Sequence, residues 1–241
     1  MAGRLQDKVT IITGAGSGMG KAMAHRFAAE GARLVLADIS GQQDAVAEAV
    51  GNGAVAVHCD VADEEQVQAL IATAETRFGR LDVLCNNAGF GGGMAPLHKQ
   101  SAEHWDRIHA VNIRGVFLCM KYGVISMLKT GGGSIVNTGS ASAVIGWKHH
   151  SVYAAAKAGR HQMTKVAALD YSDRNIRVNA IAPGTMWTGL VAASAEHDVP
   201  PQGFPTLAGI PMGRWGAAMD IANAALFLAS DEAAYVTGVI L

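Results

Sequence analysis

The sequence predicts an α/β chain: a doubly wound parallel sheet with helices on both faces, folded as a single domain. Three observations carry this. Short apolar runs alternate with stretches whose apolar residues recur at helical spacing, the pattern of successive βαβ units. The strand-like runs lack strict alternation, as strands covered on both faces do. Glycines number 29 against 6 prolines, which suits an ordered chain with many tight turns between strands and helices.

The elements follow in order. Val9-Thr10-Ile11-Ile12 is the first strand, and glycines follow it. Met19, Ala22, Met23 and Phe27 then mark a helix that Gly31 stops. Leu34–Ala37 and Ala54–Val57 are the second and third strands. Val67, Leu70, Ile71, Ala74 and Phe78 mark a helix ending at Gly79, and Leu81–Cys85 is the next strand. One long helix is expected from Ser101, a plausible N-cap, towards Leu128, broken by Gly131-Gly132-Gly133. Ser134–Thr138 reads as a strand, Val152–Tyr171 as a helix and Ile176–Ile181 as a strand.

A length of 241 residues leaves one large domain or two small ones open. No linker, internal repeat or low-complexity segment divides the chain, so residues 1–241 are expected to form one domain. The irregular stretch from Pro183 to about Gly216 holds five of the 6 prolines. A loop that long inside a compact domain is usually a lid or binding loop, here at about residues 184–216. Its alternative is a disordered excursion, against which Trp187, Leu190, Phe204, Leu207, Ile210 and Trp215 argue.

With 19 basic and 20 acidic residues the formal net charge is -1. No basic excess points to nucleic acid, and no run of like charge points to a membrane surface. Residues 1–8 contain no apolar signal region, and no apolar run is expected to span a bilayer. The expected compartment is the cytoplasm. Cys59, Cys85 and Cys119 are read as buried free thiols. No cysteine or histidine cluster has zinc spacing, so no metal is expected.

The first strand feeds Thr13-Gly14-Ala15-Gly16-Ser17-Gly18-Met19-Gly20, a TGxxxGxG spacing that fits GxGxxG in no register. Glycines let a backbone turn sharply against a pyrophosphate, and the next helix aims its N-terminus at the charge. Any tight βα turn can carry such glycines; placement between a first strand and an amphipathic helix strengthens the reading. Gly14, Ser17, Gly18, Met19 and Gly20 are therefore candidate dinucleotide contacts. Asp38 ends the second strand, 18 residues past Gly20, where a carboxylate should meet the adenosine ribose. The alternative is a turn aspartate capping the following segment. A carboxylate repels a ribose 2′-phosphate by about 4 kcal/mol per unit charge at ~4 Å and an effective dielectric near 20, before screening. No Arg or Lys occupies the turn and Ile39 follows Asp38, so NAD is favoured over NADP.

Tyr153 and Lys157 stand at i, i+4 on one helix face. Alone, the pair reads as a solvated face. Thirteen residues before Tyr153, Ser140 ends a strand in Thr138-Gly139-Ser140-Ala141-Ser142, at the sheet edge where such folds bind ligands. Ser142 is a second hydroxyl there. His149 and His150 could line a pocket or lie on the surface. Asn112 could merely kink its helix.

In these motifs the chain resembles the short-chain dehydrogenase/reductase family over nearly its whole length. The resemblance rests on Thr13 to Gly20, Asp60-Val61, Asn86-Asn87-Ala88-Gly89, Asn112, Ser140, Tyr153-xxx-Lys157, Asn179, and Pro183-Gly184 with Thr188. It implies a Rossmann-type domain with Asn112, Ser140, Tyr153 and Lys157 as catalytic residues. It also implies adenine contacts at Asp60 and Val61, a turn beside the cofactor at Asn87, Ala88 and Gly89, and a nicotinamide carboxamide contact at Thr188. Pro183 and Gly184 join these cofactor contacts. Lys157 would hold ribose hydroxyls, and Asn112 would anchor a water that relays the proton.

The implied activity is hydride transfer between NAD(H) and a secondary alcohol or ketone. A free tyrosine titrates near ~10, and a Lys157 ammonium beside Tyr153 would favour the phenolate that a general base needs. A 3-oxoacyl thioester reductase and a catalytically silent NAD-binding sensor are the rivals. The family also implies a homotetramer or homodimer, built on the helices of Asn112 and Tyr153. It continues past Tyr-Val-Thr-Gly into a last strand and an Asp-Gly-Gly tail. Here Tyr235-Val236-Thr237-Gly238 is followed by Val239-Ile240-Leu241.

Overall fold

The computed structural model describes residues 3–188 and 209–241. Strands β1 (Val9–Thr13), β2 (Arg33–Asp38), β3 (Val55–His58), β4 (Val83–Asn86), β5 (Gly133–Thr138) and β6 (Ile176–Ile181) form one 6-stranded sheet in the order β3-β2-β1-β4-β5-β6. Every pairing is parallel. The strand order reverses between β1 and β4, and ligands of such sheets bind in the crevice outside that point.

Each strand feeds both faces because its side chains alternate. Ile11, Val35, Leu84 and Ile135 enter one core. Their neighbours Ile12, Leu36, Cys85 and Val136 enter the other. Helices α3 (Glu64–Phe78), α5 (Val116–Thr130) and α6 (Ser151–Tyr171) cover the first face. Helices α1 (Gly18–Ala28), α2 (Gln43–Val50) and α7 (Ala218–Ala229) cover the second. Asp63 caps α3 by accepting from Glu65 N at 2.9 Å and Gln66 N at 3.1 Å. Three buried, free cysteines sit in or beside these cores.

Several sequence expectations change. Helices α2 and α7 were not anticipated. The single helix expected from Ser101 to Leu128 is α4 (Ala102–His109), a π turn over Ala110–Gly115, and α5. Ser101 is its N-cap, accepting from His104 N at 3.1 Å. Its 29 residues have a mean hydropathy of 1.3 over the most apolar 18. One helix thus has the length and composition of a membrane span, contrary to expectation, and 56% of that window is buried within the protein.

The last residues lie parallel to β6. Ala180 N donates to Val239 O at 2.9 Å and Leu241 N to Ala180 O at 2.9 Å. Buried Asn179 holds the same segment, donating to Val236 O at 2.9 Å and accepting from Val239 N at 3.1 Å. Of the expected lid, Leu190, Phe204 and Leu207 lie outside the described residues. Its two ends meet: Met186 bridges Gly216, and the rings of buried Trp187 and Trp215 lie edge to face at 5.5 Å.

Candidate active site

The glycine turn leaves β1 at its carboxyl end. Gly14 has φ +65°, a left-handed backbone that glycine adopts at little cost. A Cβ on Gly20 would lie 2.0 Å from Gly14 O, so only glycine lets α1 start this close to the strand. Ser17 stands at the N-cap of α1 and makes no side-chain capping bond. Asn87 fastens the turn: its Nδ2 donates to Thr13 O at 3.1 Å and Gly14 O at 3.2 Å. Its Oδ1 accepts from Thr138 Oγ1 at 3.3 Å.

A cleft of about 560 Å³ runs over this turn. Asp38, Ile39, Asp60 and Val61 are among its lining residues. Asp38 already accepts Gly16 N and Ser40 N, each at 2.9 Å, which orients its carboxylate. Gly14, Ser17, Gly18 and Met19 also line the cleft, with Asn87, Ala88, Gly89 and Thr188. A cleft lined by a helix N-terminus, by close-approach glycines and by a carboxylate at a strand end fits a dinucleotide.

A smaller pocket of about 70 Å³ shares Met19, Asn87, Gly89 and Thr188 with the cleft. Gly20 is buried against Gly14 and Asn87. Ser140, Tyr153 and Lys157 converge in the pocket, with Pro183, Gly184 and Met186. Ser140 Oγ accepts from Ser142 N at 3.2 Å and lies 2.9 Å from Ser142 Oγ. His161, two turns along α6 from Tyr153, accepts from Ser140 N at 3.4 Å. That bond leaves the proton of a neutral imidazole on Nδ1. Lys157 Nζ stands 5.4 Å from the Tyr153 ring centre and donates to Thr138 O at 2.9 Å.

Asn112 lies in the π turn, fully buried. Its Nδ2 donates to Phe90 O at 2.9 Å and Ile108 O at 3.2 Å. Its Oδ1 is buried and has no hydrogen-bond partner among the described residues. A Cβ on Gly89 would lie 2.6 Å from that oxygen and 3.4 Å from Lys157 Nζ, so both groups flank Gly89. His150 stands beside Tyr153, its ring 6.1 Å from that of Tyr153 and Nε2 2.7 Å from Met94 Sδ. His149 is exposed, with φ +68°.

Burial pushes the Tyr153 phenol up; a hydrogen bond from Ser140 and the charge of Arg160 pull the other way. Burial, then Arg160, holds Lys157 well below its ordinary range. The expectation of a phenol lowered by a neighbouring ammonium left out the burial of both groups, which opposes it. Arg160 itself was missed. It is fully buried in the same site, one helical turn from Lys157.

A family model described as enoyl-(acyl carrier protein) reductase matches residues 14–241. The chain belongs to the short-chain dehydrogenase/reductase family. A 2,5-dichloro-2,5-cyclohexadiene-1,4-diol dehydrogenase of Sphingobium indicum is 42% identical over 99% of this chain and 95% of its own. The cis-4-hydroxycyclohexanecarboxylate dehydrogenase of Sinomonas cyclohexanicum is 41% identical over 98% and 94%. The crystal structure of a 3-ketoacyl-(acyl-carrier-protein) reductase from Brucella melitensis, complexed with NADH, superposes with a TM-score of 0.90 at 35% identity, covering 98% and 96%. As a short-chain dehydrogenase/reductase, this chain is an oxidoreductase of the alcohol dehydrogenase and ketone reductase kind.

Proposed function

We propose that the chain is an NAD(H)-dependent dehydrogenase that interconverts a small to medium, largely apolar secondary alcohol and its ketone, with a ring-borne hydroxyl as the favoured substrate class. One observation carries the reading: Ser140, Tyr153 and Lys157 line a single pocket that shares four lining residues with the cleft over the glycine turn. The ring-bearing substrates named for the two relatives support the substrate class, and the NADH-bound neighbour supports the cofactor.

Bound in the cleft, the nicotinamide supplies the hydride acceptor or donor. The turn from Gly14 to Gly20 would receive the pyrophosphate, Asp38 the adenosine ribose hydroxyls, and Asp60 and Val61 the adenine. Thr188 would hold the carboxamide, with Pro183 and Gly184 as further cofactor contacts. Ser140 Oγ donates to the substrate oxygen and orients it. In oxidation, Tyr153 as phenolate takes the hydroxyl proton while the carbinol carbon gives up hydride; in reduction the phenol returns it. Lys157 would hold the nicotinamide ribose, and Asn112 would anchor a water that relays the proton.

Residues 1–241 act as one catalytic domain, with a substrate lid at about residues 184–216 whose ends are joined by the Met186–Gly216 bridge. A homotetramer or homodimer is supported by apolar side chains standing out from α4, α5 and α6, among them Trp105, Phe117, Ile125 and Leu169. The compartment is the cytoplasm. A thioester reductase is the second reading, favoured by the Brucella neighbour.

The test is NAD-dependent oxidation of cyclohexanol and cyclohexane-1,2-diol, and NADH-dependent reduction of an acetoacetyl thioester, by wild type and Tyr153→Phe. Tyr153→Phe should bind NAD normally yet lose ~10²–10⁴-fold in turnover. Near-normal turnover would remove Tyr153 from the mechanism. Preference for the thioester would select the second reading.

A further inference from the structure

Strand β5 ends at Thr138, and the next three main-chain amides are held one by one. Gly139 N donates to Ile181 O at 2.7 Å and Ala141 N to Pro183 O at 3.0 Å, so both follow the chain leaving β6. Ser140 N has no strand carbonyl to meet, because the last β4–β5 pair is Asn86 with Asn137. A buried amide still needs an acceptor. Here α6 supplies it from a side chain: His161 Nε2 accepts from Ser140 N at 3.4 Å. Ser140 is 7% exposed and His161 6%, so bulk water does not compete for either group.

The imidazole reaches this amide through a gap that glycine leaves. A Cβ on Gly139 would lie 1.9 Å from His161 Nε2 and 2.5 Å from its Cδ2. The φ of Gly139 lies outside the left-handed region, so the backbone conformation does not call for glycine there. The ring does, together with Ile181 O at 3.0 Å from the same point. A ring nitrogen accepts a hydrogen bond only while it carries no proton. Burial, then Lys157, Arg160 and Lys165 on the same helix, lower His161 to about 4, which keeps the ring neutral near neutrality. Ser140 is thus fastened twice, its main chain by His161 and its Oγ by Ser142 N at 3.2 Å.

We propose that His161 is a positioning residue of the active site: its Nε2 holds the main chain of Ser140 in place, and the absence of a side chain on Gly139 admits it. The inference rests on the reading that Ser140 orients the substrate oxygen. His161 lines neither the pocket nor the cleft, so it acts through Ser140. Without the acceptor, Ser140 N is a buried donor left unpaired. The segment then shifts to find another partner and carries the Ser140 hydroxyl with it. A misplacement on the order of 1 Å at a group that must meet the reacting oxygen lowers turnover, while the glycine turn that receives the dinucleotide is untouched.

The test compares two variants of the full-length protein. His161→Leu keeps an apolar side chain of similar reach and removes the acceptor. His161→Gln brings a carbonyl oxygen to the place of Nε2. With saturating NAD and the best alcohol found, kcat of His161→Leu should fall by about 10–100-fold, and NAD affinity, read by fluorescence titration, should stay as in the wild type. His161→Gln should recover most of the lost kcat. A purely structural role would lower the Tm of His161→Leu and leave the kcat of the folded protein unchanged. That result overturns the proposal, as does a His161→Gln protein no better than His161→Leu.

Should His161→Leu not fold, nitrogen NMR of the wild type reads the same bond without substrate or cofactor. The His161 ring, assigned through its own backbone, is expected near neutrality as the tautomer with the proton on Nδ1 and a bare Nε2 coupled to the Ser140 amide. A proton on Nε2, alone or in an imidazolium, overturns the proposal. Failure to oxidise any alcohol would count against the proposed function, whereas the tautomer of His161 is read independently of it.

Discussion

Lys157 and Arg160 donate to the same oxygen, the main-chain carbonyl of Thr138. Both side chains are buried. The carbonyl that ends β5 therefore has both of its lone pairs engaged, and Ser140, two residues on, starts from a fixed point. Lys157→Ala removes one of the two donors and the proposed ribose ligand together. NAD affinity, read by fluorescence titration, and turnover should both fall, turnover by ~10²-fold or more. Loss of turnover with unchanged NAD affinity would exclude the ribose contact.

Asp38 should govern the choice between NAD and NADP. Its carboxylate is held by Gly16 N and Ser40 N at the edge of the cleft. With solvent and salt screening the repulsion, Asp38→Ala should shift the NAD/NADP ratio of kcat/KM towards NADP by roughly 10–100-fold. A wild type that uses both cofactors equally would contradict the argument.

His161 should make the fold sensitive to mild acid. Burial, with Lys157, Arg160 and Lys165 nearby, lowers its imidazole from 6.5 to about 4. Between those values the unfolded chain binds more protons than the folded one, so stability is full above pH 6.5 and falls as pH drops towards 4. The loss amounts to roughly 3 kcal/mol. His161→Gln should flatten the dependence of the urea midpoint on pH across that window. An unchanged slope would show that His161 does not titrate there.

Asn179 should act on stability rather than chemistry. It clamps Val236 O and Val239 N. Asn179→Ala leaves those groups unpaired at a cost of about 2–3 kcal/mol, or roughly 5–10 °C in Tm. Turnover at 25 °C should persist. Selective loss of turnover without loss of Tm would place Asn179 in the mechanism instead.

The strands and the glycine turn were legible because their signals are local: apolar runs, a fixed glycine spacing, an i, i+4 pair. Helices α2 and α7 were not. Both are rich in alanine, and α7 follows the proline-rich stretch without a side-chain cap at Ala217. The π turn around Asn112 leaves no mark in apolar periodicity. Arg160 was illegible for another reason. Its acceptors lie 22 to 74 residues away and are all main-chain carbonyls, which no residue pattern can advertise. A buried charge without a charged partner is a property of the assembled fold.

Asn87 ties the glycine turn to the strand that leads into Ser140, with one side chain touching Thr13, Gly14 and Thr138. A displacement at either end is felt at the other through this strut. Dinucleotide and alcohol affinities in this enzyme should therefore be coupled, and such coupling is reciprocal. Whatever factor the bound cofactor gains for the alcohol, the alcohol returns to the cofactor, so a substitution at Asn87 that weakens one affinity should weaken the mutual gain of both.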